Sequence, residues 1–234
     1  MLLNIKAVIW DLDGTLIHFK IDFLRARREA IKILRNHGIP RDELTVRNSI
    51  LENIKHAVEL FKDKGKLSNE IESILSEINK RVSEIEYEAA LEATRIDKIE
   101  DVLQFLEKKE LKQAIYTFNM HRNAETSLKQ IDLLNYFEVI VGRDDVENPK
   151  PHKEHLLTIC REIGVSPEEI IVIGDTYRDI QGAKNVGAKS IAIRTKSSSF
   201  ANEEIFNSAD IIISQEEISN NLILAIKNLL DTQI

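Results

Sequence analysis

Six short apolar runs, each of strand length, rich in β-branched residues and mostly separated by helix-like stretches, limit most tightly what this chain can fold into. They are Ala7–Trp10, Gln113–Tyr116, Val139–Val141, Ile170–Ile173, Ser190–Ile193 and Ile211–Ile213, and they read as buried strands. Helical patterning over Lys98–Lys109, Arg122–Ile131, His152–Ile163 and Asp179–Val186 gives the strand–helix–strand alternation of a parallel sheet. A layered α/β core follows. The length of 234 residues leaves room for that core and a smaller second domain.

Between the first strand and Ala93 the pattern changes to three helical periodicities with no convincing strand. The clearest is Ile71, Ile74, Leu75, Ile78, Val82, Ile85 and Ala89, whose three- and four-residue spacing makes one apolar stripe. The others cover Ile21–Arg35 and Glu43–Lys62, set apart by turn signals at Gly38 and Pro40 and at Gly65 and Ser68. This predicts a helical insertion over residues 18–93, joined near Ile17–Lys20 and Ala93–Asp97 to a core made of residues 1–17 and 94–234. Basic and acidic residues balance from Lys20 to Glu92, so the net charge of −7 belongs to the core.

Chemistry-bearing residues gather at the ends of the expected strands, where open α/β sheets place ligands. After the first strand come Asp11 and Asp13, followed by Gly14 and Thr15. Carboxylates on alternate residues can share one ligand, one binding a metal or attacking an electrophile while the other handles protons. Thr117 ends the second run, and its hydroxyl with the amides that follow suits an anionic oxygen. Lys150 stands between Pro149 and Pro151, which restrict the backbone around it. Gly174 then leads to Asp175 and Asp179, one helical turn apart, which suit Mg²⁺ ligation or the capping of a helix.

Taken in order, Asp11/Asp13, Thr117, Lys150 and Asp175/Asp179 resemble the four motifs of the haloacid dehalogenase-like hydrolase superfamily. The resemblance spans essentially the whole chain, because the insertion is similar in place to the helical cap of the phosphoglycolate phosphatase-like and β-phosphoglucomutase-like branch. It implies a Rossmann-like parallel sheet with helices on both faces and an all-α cap. It also implies Asp11 as the nucleophile and Asp13 as the acid and base, with Thr117 and Lys150 binding the substrate phosphate. The implied metal is Mg²⁺, held by Asp11, the main-chain carbonyl of Asp13 and Asp175 with Asp179 in support. Asp13 favours phosphatases and phosphomutases over dehalogenases. Two departures from the family pattern are Ile17-His18-Phe19 after the first motif and Phe118 between Thr117 and Asn119.

The expected activity is therefore Mg²⁺-dependent hydrolysis of a small phosphorylated metabolite through an aspartyl-phosphate. A phosphomutase is the alternative, followed by a non-catalytic binding protein on the same fold. Arg27 and Arg47 fall among apolar residues on their helices; they either snorkel or read a substrate carboxylate or second phosphate. An acidic pI near 5.5 argues against nucleic acid as a partner. The single cysteine, Cys160, and the lack of a signal peptide or membrane span point to the cytoplasm.

Overall fold

The computed structural model describes residues 4–18, 20–195 and 202–231. In chain order the elements begin β1 (Ala7–Trp10), β2 (Ile17–His18), α1 (Phe23–Asn36), α2 (Ile50–Asp63), α3 (Ser68–Leu91) and β3 (Thr94–Arg95). They continue α4 (Ile99–Lys108), β4 (Lys112–Tyr116), α5 (His121–Gln130), β5 (Val139–Val141), α6 (Lys153–Ile163) and β6 (Ile170–Gly174). The last are α7 (Tyr177–Val186), β7 (Lys189–Arg194), α8 (Glu203–Phe206), β8 (Ile211–Ser214) and α9 (Ile218–Asp231). The chain divides into two compact units, Met1–Phe19 with Glu92–Ile234, and Lys20–Leu91.

In the first unit six parallel strands are ordered β5-β4-β1-β6-β7-β8, with Trp10 opposite both Ile115 and Ile173. Alternate side chains enter different layers. Ala7, Ile9, Tyr116 and Val172 pack with Leu156, Ile159 and Cys160 of α6. Val8, Trp10, Ile115 and Ile173 pack with Leu103 and Leu106 of α4 and Leu222 and Ile226 of α9. Burial on both faces explains why the strands are continuously apolar. Ile170–Ile173 are all fully buried, each side chain worth about 1.5–3 kcal/mol.

The chain winds outward from β1 through β4 and β5, then crosses to build β6, β7 and β8 on the other side. The carboxyl end of β1 thus lies where the winding direction reverses, the place such sheets offer a ligand. Two features go beyond the sequence reading. The stretches joining the insertion to the core form an antiparallel ribbon, Ile17 opposite Arg95 and His18 opposite Thr94. Helix α9 covers one sheet face with Ile218, Leu222, Ala225, Ile226 and Leu229.

The second unit is helical. Ile31 and Leu34 of α1, Ala57 and Phe61 of α2 and Ile74 and Ile78 of α3 share its core. Helix α2 starts at Ile50 rather than near Glu43, because Ser49 and Glu52 form a reciprocal capping box there. The Arg27 guanidinium donates to the Val46 carbonyl at 3.2 Å, and Arg47 is exposed. Among the described residues, no helix is long and apolar enough to cross a membrane.

Candidate active site

Asp11, Thr117 and Asp175 are the first residues beyond β1, β4 and β6, three neighbouring strands in the sheet. Parallel pairing brings their ends together. The Asp11 amide donates to the Ile173 carbonyl at 2.8 Å, extending the ladder one step past β1. The turn that follows needs glycine at position 14: φ is +82°, and a Cβ there would collide with the Asp175 carboxylate. Gly174 is required by close approach, since a Cβ would overlap the Asp179 side chain.

Lys150 reaches this point from the loop between β5 and α6. Its buried Nζ donates to Asp11 Oδ1, to Asp179 Oδ1 at 2.7 Å and to the Tyr116 carbonyl at 3.1 Å. The Tyr116 ring centroid lies 4.8 Å from the same ammonium, within cation–π range. Asp179 is fully buried, and its other oxygen accepts from the Thr176 amide at 3.0 Å and hydroxyl at 2.6 Å. That closes a capping box at the start of α7. Thr176 thus caps the helix, and Asp175, one residue earlier, is left on the strand end.

Asp11 Oδ2 accepts from the Thr15 hydroxyl at 3.3 Å. Asp13, two residues on, has a different setting: both its oxygens accept from Asn119 Nδ2, at 3.1 and 2.9 Å. The Asn119 backbone N–H donates to Thr117 Oγ1 at 3.0 Å. Asn119 therefore ties the first-motif acid to the Thr117 corner. All six sequence-predicted residues belong to one connected constellation, whereas Arg27 and Arg47 belong to the helical unit. Sequence reasoning did not assign Thr15, Tyr116 or His155, which accepts the Lys150 backbone N–H, to this constellation. Thr176 did carry a signal, because Thr-x-x-Asp is a capping-box spacing.

Electrostatics reflect crowded negative charge. Burial pushes Asp11 up to about 6 against the opposing pull of Lys150. Burial, with Asp11 and Asp179 nearby, pushes Asp175 up to about 8. Burial alone would lower Lys150, but Asp11 and Asp179 reverse this and hold its ammonium above the ordinary range. Oxygens of Asp11, Asp175 and Asp179 lie within 4.8 Å of one another. A buried set of hard oxygen donors with excess negative charge fits a divalent cation of the Mg²⁺ type.

A lysine-bridged carboxylate cluster beyond the central strands of a parallel α/β sheet, where such sheets offer a ligand, marks the site of an enzyme. The description haloacid dehalogenase-like hydrolase matches residues 8–193, and the chain belongs to that family. It is 31% identical over 193 residues to an N-acetylmuramic acid 6-phosphate phosphatase of Pseudomonas aeruginosa, covering 82% of this chain and 83% of that protein. A phosphorylated carbohydrates phosphatase of Thermotoga maritima is 27% identical over 218 residues, covering 93% and 98%. A β-phosphoglucomutase structure from Clostridium difficile superposes with a TM-score of 0.66 at 20% identity, covering 97% of each chain; this likeness is one of fold. The expected enzyme class, phosphoric monoester hydrolase, is that of both curated relatives.

Proposed function

We propose that the protein hydrolyses the phosphate monoester of a small cytoplasmic metabolite in two steps, with Asp11 as nucleophile. The observation that supports this most is the contrast between two acids two residues apart, Asp11 on the Lys150 ammonium and Asp13 on the Asn119 amide. Although burial raises Asp11 to about 6, the opposing Lys150 ammonium keeps it mostly ionised near pH 7 and able to attack phosphorus, while an acid held by a neutral amide can exchange protons. In the first step an Asp11 oxygen bonds to phosphorus, the bond to the leaving oxygen breaks, and Asp13 gives that oxygen a proton. In the second, Asp13 takes a proton from water as the water oxygen attacks phosphorus, releasing phosphate and restoring Asp11.

Thr117 Oγ1 already accepts from the Asn119 backbone N–H, so its hydroxyl proton is available to a phosphoryl oxygen. Lys150 offsets the charge of the incoming phosphate, and Asp179 holds Lys150 in place. Asp11, Asp175 and the Asp13 main-chain carbonyl would hold Mg²⁺, whose contribution is to neutralise charge between a carboxylate and a phosphate dianion. The helical unit is read as the cap of this enzyme, the part that selects the leaving group.

Phosphoglycolate, sugar phosphates and nucleotides, assayed for phosphate release with Mg²⁺ and with EDTA, test the reading. Release that needs Mg²⁺ and disappears in an Asp11→Asn protein is expected. Isomer formation without phosphate release would convert the assignment to a mutase, and native-like turnover by Asp11→Asn would end the mechanism.

A further inference from the structure

Lys150 sits in a loop, yet its ammonium is placed among three partners in a buried site. The structure assigns that placement to His155, on the first turn of α6, as a positioning residue for Lys150. Its Nδ1 accepts the Lys150 backbone N–H at 3.1 Å, and its Nε2 faces the Val141 carbonyl at 2.8 Å. An acceptor toward an N–H and a donor toward a carbonyl select one neutral tautomer, with the proton on Nε2. The imidazole is fully buried, and burial lowers it to about 4, in keeping with that neutral form.

The same imidazole reaches the other end of the lysine. Its ring meets the Tyr116 ring edge-on, with centroids 4.5 Å apart and planes at 68°. The Tyr116 ring lies against the Lys150 ammonium, and the Tyr116 carbonyl accepts from it. Val141 O, which receives His155, also accepts the Thr117 amide at 3.2 Å. One side chain therefore joins the lysine's main chain to the aromatic wall behind its ammonium and to the carbonyl that fixes the backbone of Thr117. Nothing in a helix-forming stretch demands a histidine at this buried position, where an aliphatic residue would pack without polar partners.

The kinetic consequence rests on the phosphatase reading; the placement of Lys150 does not. With 4-nitrophenyl phosphate and Mg²⁺, His155→Ala should lower kcat by roughly 10²-fold with KM changed only a few-fold, the scale expected for a misplaced charge. His155→Asn, which puts an amide oxygen in the place of Nδ1, should restore most of the activity. His155→Gln, which offers its polar group near Nε2, should not. In a Lys150→Met background, His155→Ala should cost nothing further. Losses that multiply in the double variant, or equal rescue by Asn and Gln, would overturn the assignment as a merely structural role. Should His155→Ala fail to fold, the Asn and Gln pair carries the same comparison. If the wild type turns over no phosphomonoester, the phosphatase reading falls separately. Crystal structures of wild type and His155→Gln then decide: Lys150 Nζ withdrawn from Asp179 supports positioning by His155, and an unmoved lysine refutes it.

Discussion

Removing divalent cations should make the folded protein lose stability as pH rises, with a slope set by two displaced carboxyl groups and opposed by one histidine. Asp11 and Asp175 have the ordinary value of 3.8 when unfolded, but burial raises them to about 6 and about 8 in the fold. A group raised in this way contributes stability that is complete below its unfolded value and is lost as pH climbs through the folded one. His155 acts in the opposite sense. Burial lowers it from 6.5 to about 4, so its contribution is present above 6.5 and is lost as pH falls toward the folded value.

Each group contributes a slope of about 1.4 kcal/mol per pH unit while its folded and unfolded forms differ. Between about pH 5 and 6 the two acids outweigh His155 by one group, and above about 6.5 Asp175 acts alone. From about pH 5 to 8 the net loss in EDTA comes to about 3 kcal/mol. With Mg²⁺ in the site, the cation takes the place of the protons as counter-charge, leaving His155 to raise stability by about 2 kcal/mol from about pH 5 to 6.5. Urea unfolding followed through Trp10 measures this directly, since it is the single tryptophan, fully buried and adjacent to Asp11. Stability that climbs with pH in EDTA, or parallel curves with and without Mg²⁺, would refute the charge assignment of this cluster.

Asp11→Asn should fold normally while turnover falls by about three or more powers of ten, which steady-state rates and thermal melts together will show. Asp13→Asn should slow alkyl phosphates by ~10²–10⁴-fold and aryl phosphates with good leaving groups much less; a uniform loss would remove Asp13 as the proton donor. Gly174→Ala drives a Cβ into the Asp179 side chain, so urea unfolding should register a loss of about 1–3 kcal/mol. Native-like stability there would mean that α7 can move away from its strand without cost.

Much of this was legible because a strand in a two-faced parallel sheet announces where it ends. Ile170–Ile173 and Ala7–Trp10 are continuous apolar runs, so Asp175 and Asp11 are recognisable as the first polar residues past an edge. The features that escaped lack such a pattern. Two-residue strands such as β2 and β3 are too short to show a period. The approach of Lys150 to Asp179, 29 residues apart in sequence, follows from tertiary packing alone. Helix α2 starts later than its pattern predicts, because Val46 stands four residues before Ile50 and Leu44 seven before Leu51, helical spacings that run on ahead of the Ser49 cap. His155 did leave a trace, a polar residue on the stripe that continues through Leu156, Ile159, Cys160 and Ile163.

The ribbon of β2 and β3 bears on how such a chain can change over generations. Because Ile17 pairs with Arg95 and His18 with Thr94, the departing and returning strands are already side by side before the helical segment begins. The sheet's wiring is complete on its own side of that ribbon. A segment carried this way behaves like an exchangeable cassette: its length, helix count and surface can drift without altering the register of β1 against β4 and β6. If the helical segment selects the substrate, as proposed, reaction chemistry and substrate choice can evolve at separate rates, one anchored at strand ends and the other rewritten between two adjoining strands.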